Sequence, residues 1–303
     1  MKKRNFLLKH SYERRTTSDM VFDAINHIFL IIVCLLIFYP LYYVLIASLT
    51  DPTVVNTGKL LFYPENLYLE GYKRALEYPS LTNGYVNTIQ YTLMSVVVSL
   101  FTTIPAAYAL SRKDLPGRKT IMFLFTFTMF FSGGIIPMFL TIKSLNIYNT
   151  SWALVLPAAV SVYNLIVCRS FFESALPIEI LEASKIDGCS DFAFFFRIAL
   201  PLSSTIIAVM ALFYATSMWN TFFNALMFLQ DDNKMPLQVV LRNLVLSNQL
   251  SAGSSGAEIA ERRKIIDQLK YVIITVAALP LIAIYPFLQR FFVAGVTIGA
   301  VKG

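Results

Sequence analysis

The stretch LEASKIDGCSDFAFFFRIALPL, residues 181–202, stands between two long apolar runs and decides how the whole chain is understood. Two acids and a base, Glu182, Lys185 and Asp187, come first, and a run of phenylalanines follows a single glycine. This mixture of charge and aromatic character is typical of a segment that lies across the ends of membrane helices.

The residue order inside this stretch predicts two short helices. Pro177 suits the start of the first helix, because proline is pre-organised for that position. Gly188 offers a left-handed residue to close it. Ser190 or Asp191 can cap the second helix, which runs on into the next apolar segment.

A two-helix segment of this kind predicts a surface for a partner. The phenylalanines are expected to face the other helices, which leaves the side with Glu182, Lys185 and Asp187 available. An ordinary surface helix between two spans explains the same local pattern, so the local pattern by itself leaves both interpretations open.

Composition places the chain in the membrane class. It has 303 residues, of which 56% are hydrophobic and 14% charged, and its mean hydropathy is +0.62. A soluble domain carries roughly a quarter charged residues. The net charge of +7 is spread over the ends and short loops, which indicates membrane topology and contact with anionic lipid rather than nucleic-acid binding.

Stretches of about 20 apolar residues predict an all-α protein with six membrane spans. A tail of residues 1–23 precedes a transmembrane domain of residues 24–295, and residues 296–303 form a second tail. The predicted loop around residues 174–200 separates spans four and five, and a loop around 230–268 separates spans five and six. The spans are predicted at 24–49, 85–111, 120–142, 150–173, 200–229 and 269–294.

Lys and Arg in the short segments predict the orientation. The N-terminal tail and the loop after span two are rich in both residues, whereas the loop after span three has only Lys143. The positive-inside rule therefore puts both tails and the loop at 174–200 in the cytoplasm. Basic residues in the loop after span five, among them Arg242, Arg262, Arg263 and Lys264, run against the rule, but that loop is long.

Catalytic and metal-binding patterns are missing from the sequence. Its two histidines, His10 and His27, have no metal-site spacing, and the three cysteines are isolated from one another. Ionisable residues deep in the predicted spans are scarce, although ion-coupled carriers often use them as coupling groups. We therefore expect no bound metal or cofactor, and an energy source outside this chain.

The spacing within the opening stretch resembles the signature loop of ABC importer permeases. That loop reads E-A-A, three residues, G, nine residues, I-x-L-P. Here Glu182-Ala183-Ser184, three residues, Gly188, nine residues, Ile198 and Leu200-Pro201 match it, with serine in place of the second alanine. Residue types, spacing and predicted cytoplasmic placement agree.

The resemblance extends along nearly the whole chain, to the second permease subunit of maltose-type carbohydrate importers. YVNTIQYT contributes Asn87-Thr88, MWNTFFNAL contributes Trp219-Asn220, and GVTIGAVKG forms the C-terminus. FSGGIIPMFLTIKSLNIYNT and PLQVVLRNLVL are similar to the subgroup for larger oligosaccharides or polysaccharide fragments. The implied architecture is the type I ABC importer permease fold, with a coupling helix between spans four and five.

The resemblance also implies partners and roles. It implies a second permease subunit, two ATPase subunits that use ATP and Mg, an extracytoplasmic solute-binding protein and a carbohydrate substrate. This chain would bind no cofactor and catalyse no reaction. The residues implied in ATPase coupling are Glu182, Ala183, Ser184, Asp187, Gly188, Ile198, Leu200 and Pro201, and the tail at Gly299–Gly303 is similar to one that reaches the ATPase interface.

The substrate pathway is predicted from chemistry near the end of span five. Trp219, Asn220, Phe223 and Asn224 combine aromatic faces with amides, which suit sugar rings and hydroxyls. Ordinary helix packing explains each of them equally well. The outer loop between spans five and six resembles one that enters the sugar-binding protein.

Two other classes stay open at this point. An ABC permease for a non-sugar solute, such as glycerol phosphate, a polyamine or phosphate, has a similar loop. A secondary carrier needs no ATPase, but the scarcity of buried charge and the signature loop both speak against it. A membrane enzyme lacks any nucleophile–base or metal set.

Overall fold

The computed structural model describes residues 16–59, 62–250, 264–280, 282–283 and 286, and it divides into two units, Met1–Tyr68 and Leu69–Gly303. Throughout the described residues the regular structure is helical, as predicted. The first unit holds α1 (Thr17–Leu49) and α2 (Pro52–Val55). The helices of the second unit are α3 (Glu70–Glu77), α4 (Pro79–Ser111), α5 (Arg118–Phe130), α6 (Ile135–Ser144), α7 (Trp152–Val155), α8 (Val162–Ala175), α9 (Ile178–Ile186), α10 (Asp191–Phe194), a π-helix (Phe195–Ala199), α11 (Leu200–Leu202), α12 (Ser204–Trp219), α13 (Phe223–Phe228), a 3₁₀ helix (Asp232–Lys234), α14 (Leu237–Leu250) and α15 (264–280).

Within the described residues, two helices are long and apolar enough to cross a membrane by themselves, α1 and α4. Two bent pairs raise that number to four when each pair counts as one span. Most apolar side chains of α1 are exposed, except near its end at Ile46 and Ala47, and this exposure suits contact with lipid. The span at 269–294 lies only partly within the described residues, and both predicted tails lie mostly or wholly outside them.

The predicted span at 120–142 is not one continuous helix. α5 ends at Phe130, α6 begins at Ile135, and the two axes are bent by 114°. Gly134 has φ +83°, a conformation that side chains other than glycine rarely adopt. An average of hydropathy over the interval conceals this break, because Gly133 and Gly134 are surrounded by apolar residues.

The predicted span at 150–173 is also interrupted, between α7 and α8. Pro157 has no N–H for helix continuation, and the carbonyls freed at Ala158 and Ala159 need other donors. Ser99 and Thr102 of α4 supply them, with hydroxyl-to-carbonyl distances of 3.4 and 2.9 Å. A break in a membrane helix persists where neighbouring polar side chains satisfy the backbone in this way.

α4 is the central helix of the second unit and packs against α8, α12 and α14. Two apolar cores lie along it. One core includes Tyr91 and residues from α13, α14 and α15, and the other includes Tyr108 and residues from α8, α12 and the π-helix. The two cores place α14 near one end of α4 and the segment at 177–202 near the other.

Candidate functional site

The segment Pro177–Leu202, here called the docking module, folds as the sequence predicts. α9 begins after Pro177 and ends at Ile186, and Gly188 has φ +77°. The Gly188 N–H donates to the Lys185 carbonyl, and the Cys189 N–H to the Ser184 carbonyl, at 3.1 and 2.9 Å. This pair of bonds is a Schellman closure, which requires a left-handed residue at Gly188.

Ser190 caps the second helix of the module. Its hydroxyl accepts a hydrogen bond from the Ala193 N–H at 3.3 Å. After α10 the chain widens into the π-helix and continues as α11, and it bends by 77° before α12. The module therefore continues directly into the helix predicted as span five, and Pro201 lies at the second position of α11.

α9 has distinct inner and outer sides. Ser184 is only 7% exposed, and its hydroxyl donates to the Leu181 carbonyl at 2.7 Å. Glu182, Ala183 and Ile186 lie on the outside, and Ile186 is 87% exposed. The family resemblance grouped Ser184 with Glu182 and Ala183 among the ATPase-coupling residues, and the structure places it on the inner side of α9.

The phenylalanines divide between the two sides of the module. Phe194 and Phe195 are buried, and the Phe195 ring lies 4.9 Å from the Tyr108 ring of α4. Phe192 and Phe196 are exposed. The prediction that this run faces the other helices therefore holds for Phe194 and Phe195 and is wrong for Phe192 and Phe196, because successive helical residues point in different directions.

An arginine that sequence reasoning did not single out connects the module to α4. Arg112 follows the last residue of α4, and its Nε donates to Asp114 at 2.8 Å. Its Nη1 lies 3.1 Å from the Tyr108 hydroxyl and 3.2 Å from an Asp191 carboxylate oxygen at the start of α10. We call these four residues the Arg112 clamp; it joins the loop after α4 to the second helix of the module.

The contacts within the clamp shift the pKa values of Asp114 and Arg112. The Arg112 guanidinium holds the pKa of Asp114 at about 2, and Lys185 of α9 adds a weaker effect of the same sign from 4.0 Å. The pKa of Arg112 is raised in turn, mainly by its hydrogen bond to Asp114. Both groups are therefore charged throughout the physiological pH range.

A second ion-pair group joins α8 to the start of α5, next to the module. Glu173, near the end of α8, lies 2.8 Å from Arg169 and 3.4 Å from Arg118 of the basic loop. Between this group and α9 lies an open cavity of about 730 Å³, whose lining includes Glu179 and Glu182. The basic loop after α4 therefore contacts the module, and it also indicates the orientation of the chain in the membrane.

Three of the remaining signature residues, Ile198, Leu200 and Pro201, lie at the junction of the module with α12. Ile198 and Leu200 are half-buried and pack against the core around Tyr108. Pro201 and Asp187 are exposed. The signature residues thus form an outward group on α9 and an anchoring group at the π-helix and α11.

The four residues predicted for a substrate pathway do not share one surface. Trp219 is buried and Asn220 ends α12, and both line an open cavity of about 520 Å³. Phe223 and Asn224 are exposed on α13 and are not among the residues that line this cavity. Its lining residues are Trp219, Asn220, Gln238, Leu241, Arg242, Leu246, Ile273, Ile274, Ala277 and Ala278.

A more polar cavity of about 390 Å³ lies beside the break between α7 and α8. Ser95, Ser161, Asn164 and Ser217 line it together with Tyr214. The Tyr214 hydroxyl lies 2.7 Å from the Thr103 hydroxyl and accepts from the Ser161 N–H at 3.2 Å. Sequence reasoning missed this cavity, because single serines in apolar runs look like ordinary small residues.

Asn87 and Thr88, which carried part of the family resemblance, have a structural explanation. Asn87 Nδ2 donates to the carbonyls of Asn233 and Met235, and the Leu237 N–H donates to the Thr88 hydroxyl at 2.8 Å. They fasten the start of α14 to α4. Among the described residues, no group of His, Cys, Asp and Glu could hold a metal ion.

Comparison with known proteins gives consistent matches. Residues 80–298 match the family model described as binding-protein-dependent transport system inner membrane component. Protein LplC of Bacillus subtilis is 39% identical over 288 residues, which cover 95% of this chain and 97% of that protein. The polygalacturonan/rhamnogalacturonan transport system permease protein YtcP of the same organism is 38% identical, with 94% and 99% covered.

A solved structure is similar over the same extent. It is the crystal structure of a bacterial ABC transporter involved in the import of the acidic polysaccharide alginate. The TM-score is 0.80 at 30% sequence identity, and the match covers 91% of this chain and 98% of that one.

Proposed function

The chain belongs to the family of binding-protein-dependent transport system inner membrane components, and from that premise we propose that it is the non-catalytic permease subunit of an ATP-driven importer for an oligosaccharide or polysaccharide fragment. It forms the pore with a second permease of the same fold. Two ATPase subunits bind ATP and Mg beneath them, and an extracytoplasmic binding protein delivers the sugar. The membrane location follows from the family and from the long apolar helices.

The proposed topology has six spans, with both termini and the docking module in the cytoplasm. Each bent pair, α5 with α6 and α10–α11 with α12, then belongs to one span. The basic tail and the basic loop at Arg112–Lys119 support this orientation through the positive-inside rule. α14 then lies on the extracytoplasmic side.

One observation carries the proposed coupling role: α9 presents a charged and apolar face outward while its other side is fixed to the bundle. Glu182 forms a charge contact with the ATPase, and Ala183 permits close approach. Ile186 adds an apolar contact, since an 87% exposed isoleucine at a cytoplasmic surface gains by burial against a partner. Ser184 acts on the inner side of α9, where its hydroxyl bonds to the Leu181 carbonyl of the same helix.

The module transmits movement because it is tied to two long helices. The Arg112 clamp joins it to α4, and the π-helix with Ile198 and Leu200 joins it to α12. ATP binding closes the ATPase pair and displaces α9, and the ties carry that displacement into α4 and α12. The pore then changes from inward to outward access.

Gentle affinity purification from the native membrane, with mass spectrometry of the co-purifying proteins, tests this function. We expect an ATPase, a second six-span permease and a solute-binding protein, and the binding protein is then screened against oligosaccharides. Repeated isolation of the chain alone and well folded would contradict the importer function.

The role of Glu182 is tested by Glu182→Lys. We expect the variant to insert and assemble normally while ATP hydrolysis no longer drives uptake. Glu179→Lys, the same charge reversal one turn earlier on α9, is the control and should have a smaller effect. Normal uptake by Glu182→Lys would remove this residue from the coupling contact.

A further inference from the structure

The cavity lined by Trp219 and Asn220 contains a cation that the coupling mechanism does not use. Arg242 of α14 lies in its wall, exposed, with Gln238 one turn earlier on the same helix. Within the part of the chain that the structure describes, no carboxylate forms an ion pair with Arg242. Most cavity-lining residues are apolar, so this guanidinium is the principal charge there.

The Arg242 guanidinium has an aromatic neighbour. Its Cζ lies 5.2 Å from the centre of the Phe222 ring. A guanidinium that contacts a ring through its flat face keeps the N–H groups at its edge available. Those N–H groups form a planar fork that matches a carboxylate with two parallel hydrogen bonds.

The other polar groups of the cavity suit a sugar ring. Trp219 is 5% exposed, and its buried indole N–H has no hydrogen-bond partner among the described residues. A buried tryptophan N–H normally finds a partner. The amide of Gln238, half-buried, makes no side-chain hydrogen bond within the described residues either, and Asn220 uses its Nδ2 on the Thr216 carbonyl, which leaves its Oδ1 as an acceptor.

The cavity is built on well-fixed elements. Thr88 and Asn87 hold the start of α14, and Gly84 of α4 lies so close to α14 that an added Cβ would meet the Leu237 Cα at 3.2 Å. Leu241 and Arg242 of α14 face Ile273 and Ala277 of α15 across the opening. Its volume of about 520 Å³ lies within the range of small-molecule sites, about 300–1,000 Å³.

We propose that this cavity binds an acidic sugar unit, with Arg242 on the carboxylate and Trp219, Asn220 and Gln238 on the ring and its hydroxyls. The inference rests on the proposed importer function and narrows its substrate to oligosaccharides that contain uronic acids. Arg242 is then the residue that distinguishes acidic from neutral sugars at the extracytoplasmic mouth of the pore.

The test uses proteoliposomes that contain the complete importer, with its binding protein and ATP inside. Uptake is measured for trigalacturonate and for its methyl ester, which keeps the rings and linkages but has no negative charge. The variants are Arg242→Gln, Arg242→Lys and Trp219→Phe. Arg74→Gln is the control, because Arg74 is an exposed arginine on α3 that lines none of the cavities described above.

We expect the unmodified importer to prefer trigalacturonate to the ester. Arg242→Gln should lower uptake of trigalacturonate about 10- to 100-fold at low concentration, the range for a lost charge-assisted hydrogen bond, and leave the ester unchanged. Arg242→Lys should recover part of the loss, because it keeps the charge without the fork. Trp219→Phe should lower both probes to the same extent, and Arg74→Gln should lower neither.

Three results would overturn the inference. Equal loss of both probes in Arg242→Gln would assign Arg242 to folding, lipid phosphate or subunit contact. Uptake of neutral oligosaccharides without uptake of trigalacturonate would refute the acidic substrate and leave the importer function standing. Absence of ATP-driven uptake of any oligosaccharide by the assembled complex would refute the importer function itself.

Discussion

Replacement of Arg112 by alanine should release the second helix of the docking module from α4. The guanidinium lies against three partners: Asp114, the Tyr108 hydroxyl and Asp191. Its own side chain is 14% exposed, but the two aspartate side chains are 58% and 66% exposed. Solvent screening therefore limits each ion pair to roughly 0.2–1 kcal/mol.

The Tyr108 contact adds to this. Tyr108 is buried, and loss of the donor leaves its hydroxyl short of a partner at a cost of about 1 kcal/mol. The Asp114 pair lies wholly outside the module, so the Asp191 ion pair and the Tyr108 contact are the ones that count, and together they amount to about 1.5 kcal/mol for local opening of the module. Because 1.4 kcal/mol corresponds to a factor of ten, the opened state should become roughly 10 times more populated.

Hydrogen exchange followed by mass spectrometry measures this opening directly in the purified complex. Amides of α10 and the π-helix should exchange about 10-fold faster in Arg112→Ala, and less than that in Arg112→Lys, which keeps a charge without the fork. Lys119→Ala, an exposed lysine in the same basic loop, is the control and should change nothing. Unchanged exchange in Arg112→Ala would refute the clamp as the tie between module and α4.

Three further predictions follow from the described geometry. Gly188→Ala places a Cβ on a residue with φ +77° and should destabilise the turn by about 1 kcal/mol. Hydrogen exchange in α9 measures this loss. The control is Gly58→Ala, at a residue with φ +71° far along the chain, which should leave exchange in α9 unchanged. The pKa of Asp114 is lowered to about 2, so the stabilising effect of this carboxylate is complete above its ordinary pKa near 4 and is lost only as the pH falls through about 2. Hydrogen exchange of α10, corrected for intrinsic rates, should therefore not change between pH 8 and 5. Faster corrected exchange within that interval would contradict the role of Asp114 in the clamp. Tyr214→Phe removes the hydroxyl that accepts from Ser161 and pairs with Thr103, which should lower the free energy of unfolding by about 1–3 kcal/mol in denaturant titrations in micelles; Tyr163→Phe, at an exposed tyrosine on α8, is the control.

The sequence predicts those features of the module that depend on neighbouring residues. Pro177, Gly188 and Ser190 act within one helical turn of their own positions, and each is found where it was expected. The overall helical class and the family follow from apolar run length and from motif spacing, which are also local properties.

The features that sequence reasoning missed depend on contacts between distant segments. Arg112 and Asp191 meet only because α4 and α10 pack against one core, and no local pattern records that contact. In the sequence Arg242 is only an exception to the positive-inside rule, whereas the structure shows that it lines a cavity with Trp219 and lies near Phe222. The break at Pro157 is tolerated through Ser99 and Thr102 of another helix, so composition within the span could not predict it.

The central claim is that the outer face of α9 binds an ATPase subunit. A photo-crosslinking amino acid at position 186, where the isoleucine is 87% exposed, tests it in intact membranes. We expect an adduct with the mass of the ATPase, and no such adduct when the same probe replaces buried Ser184. An ATPase that co-purifies with the chain but never cross-links at position 186, or a probe that labels only lipid, would contradict the claim.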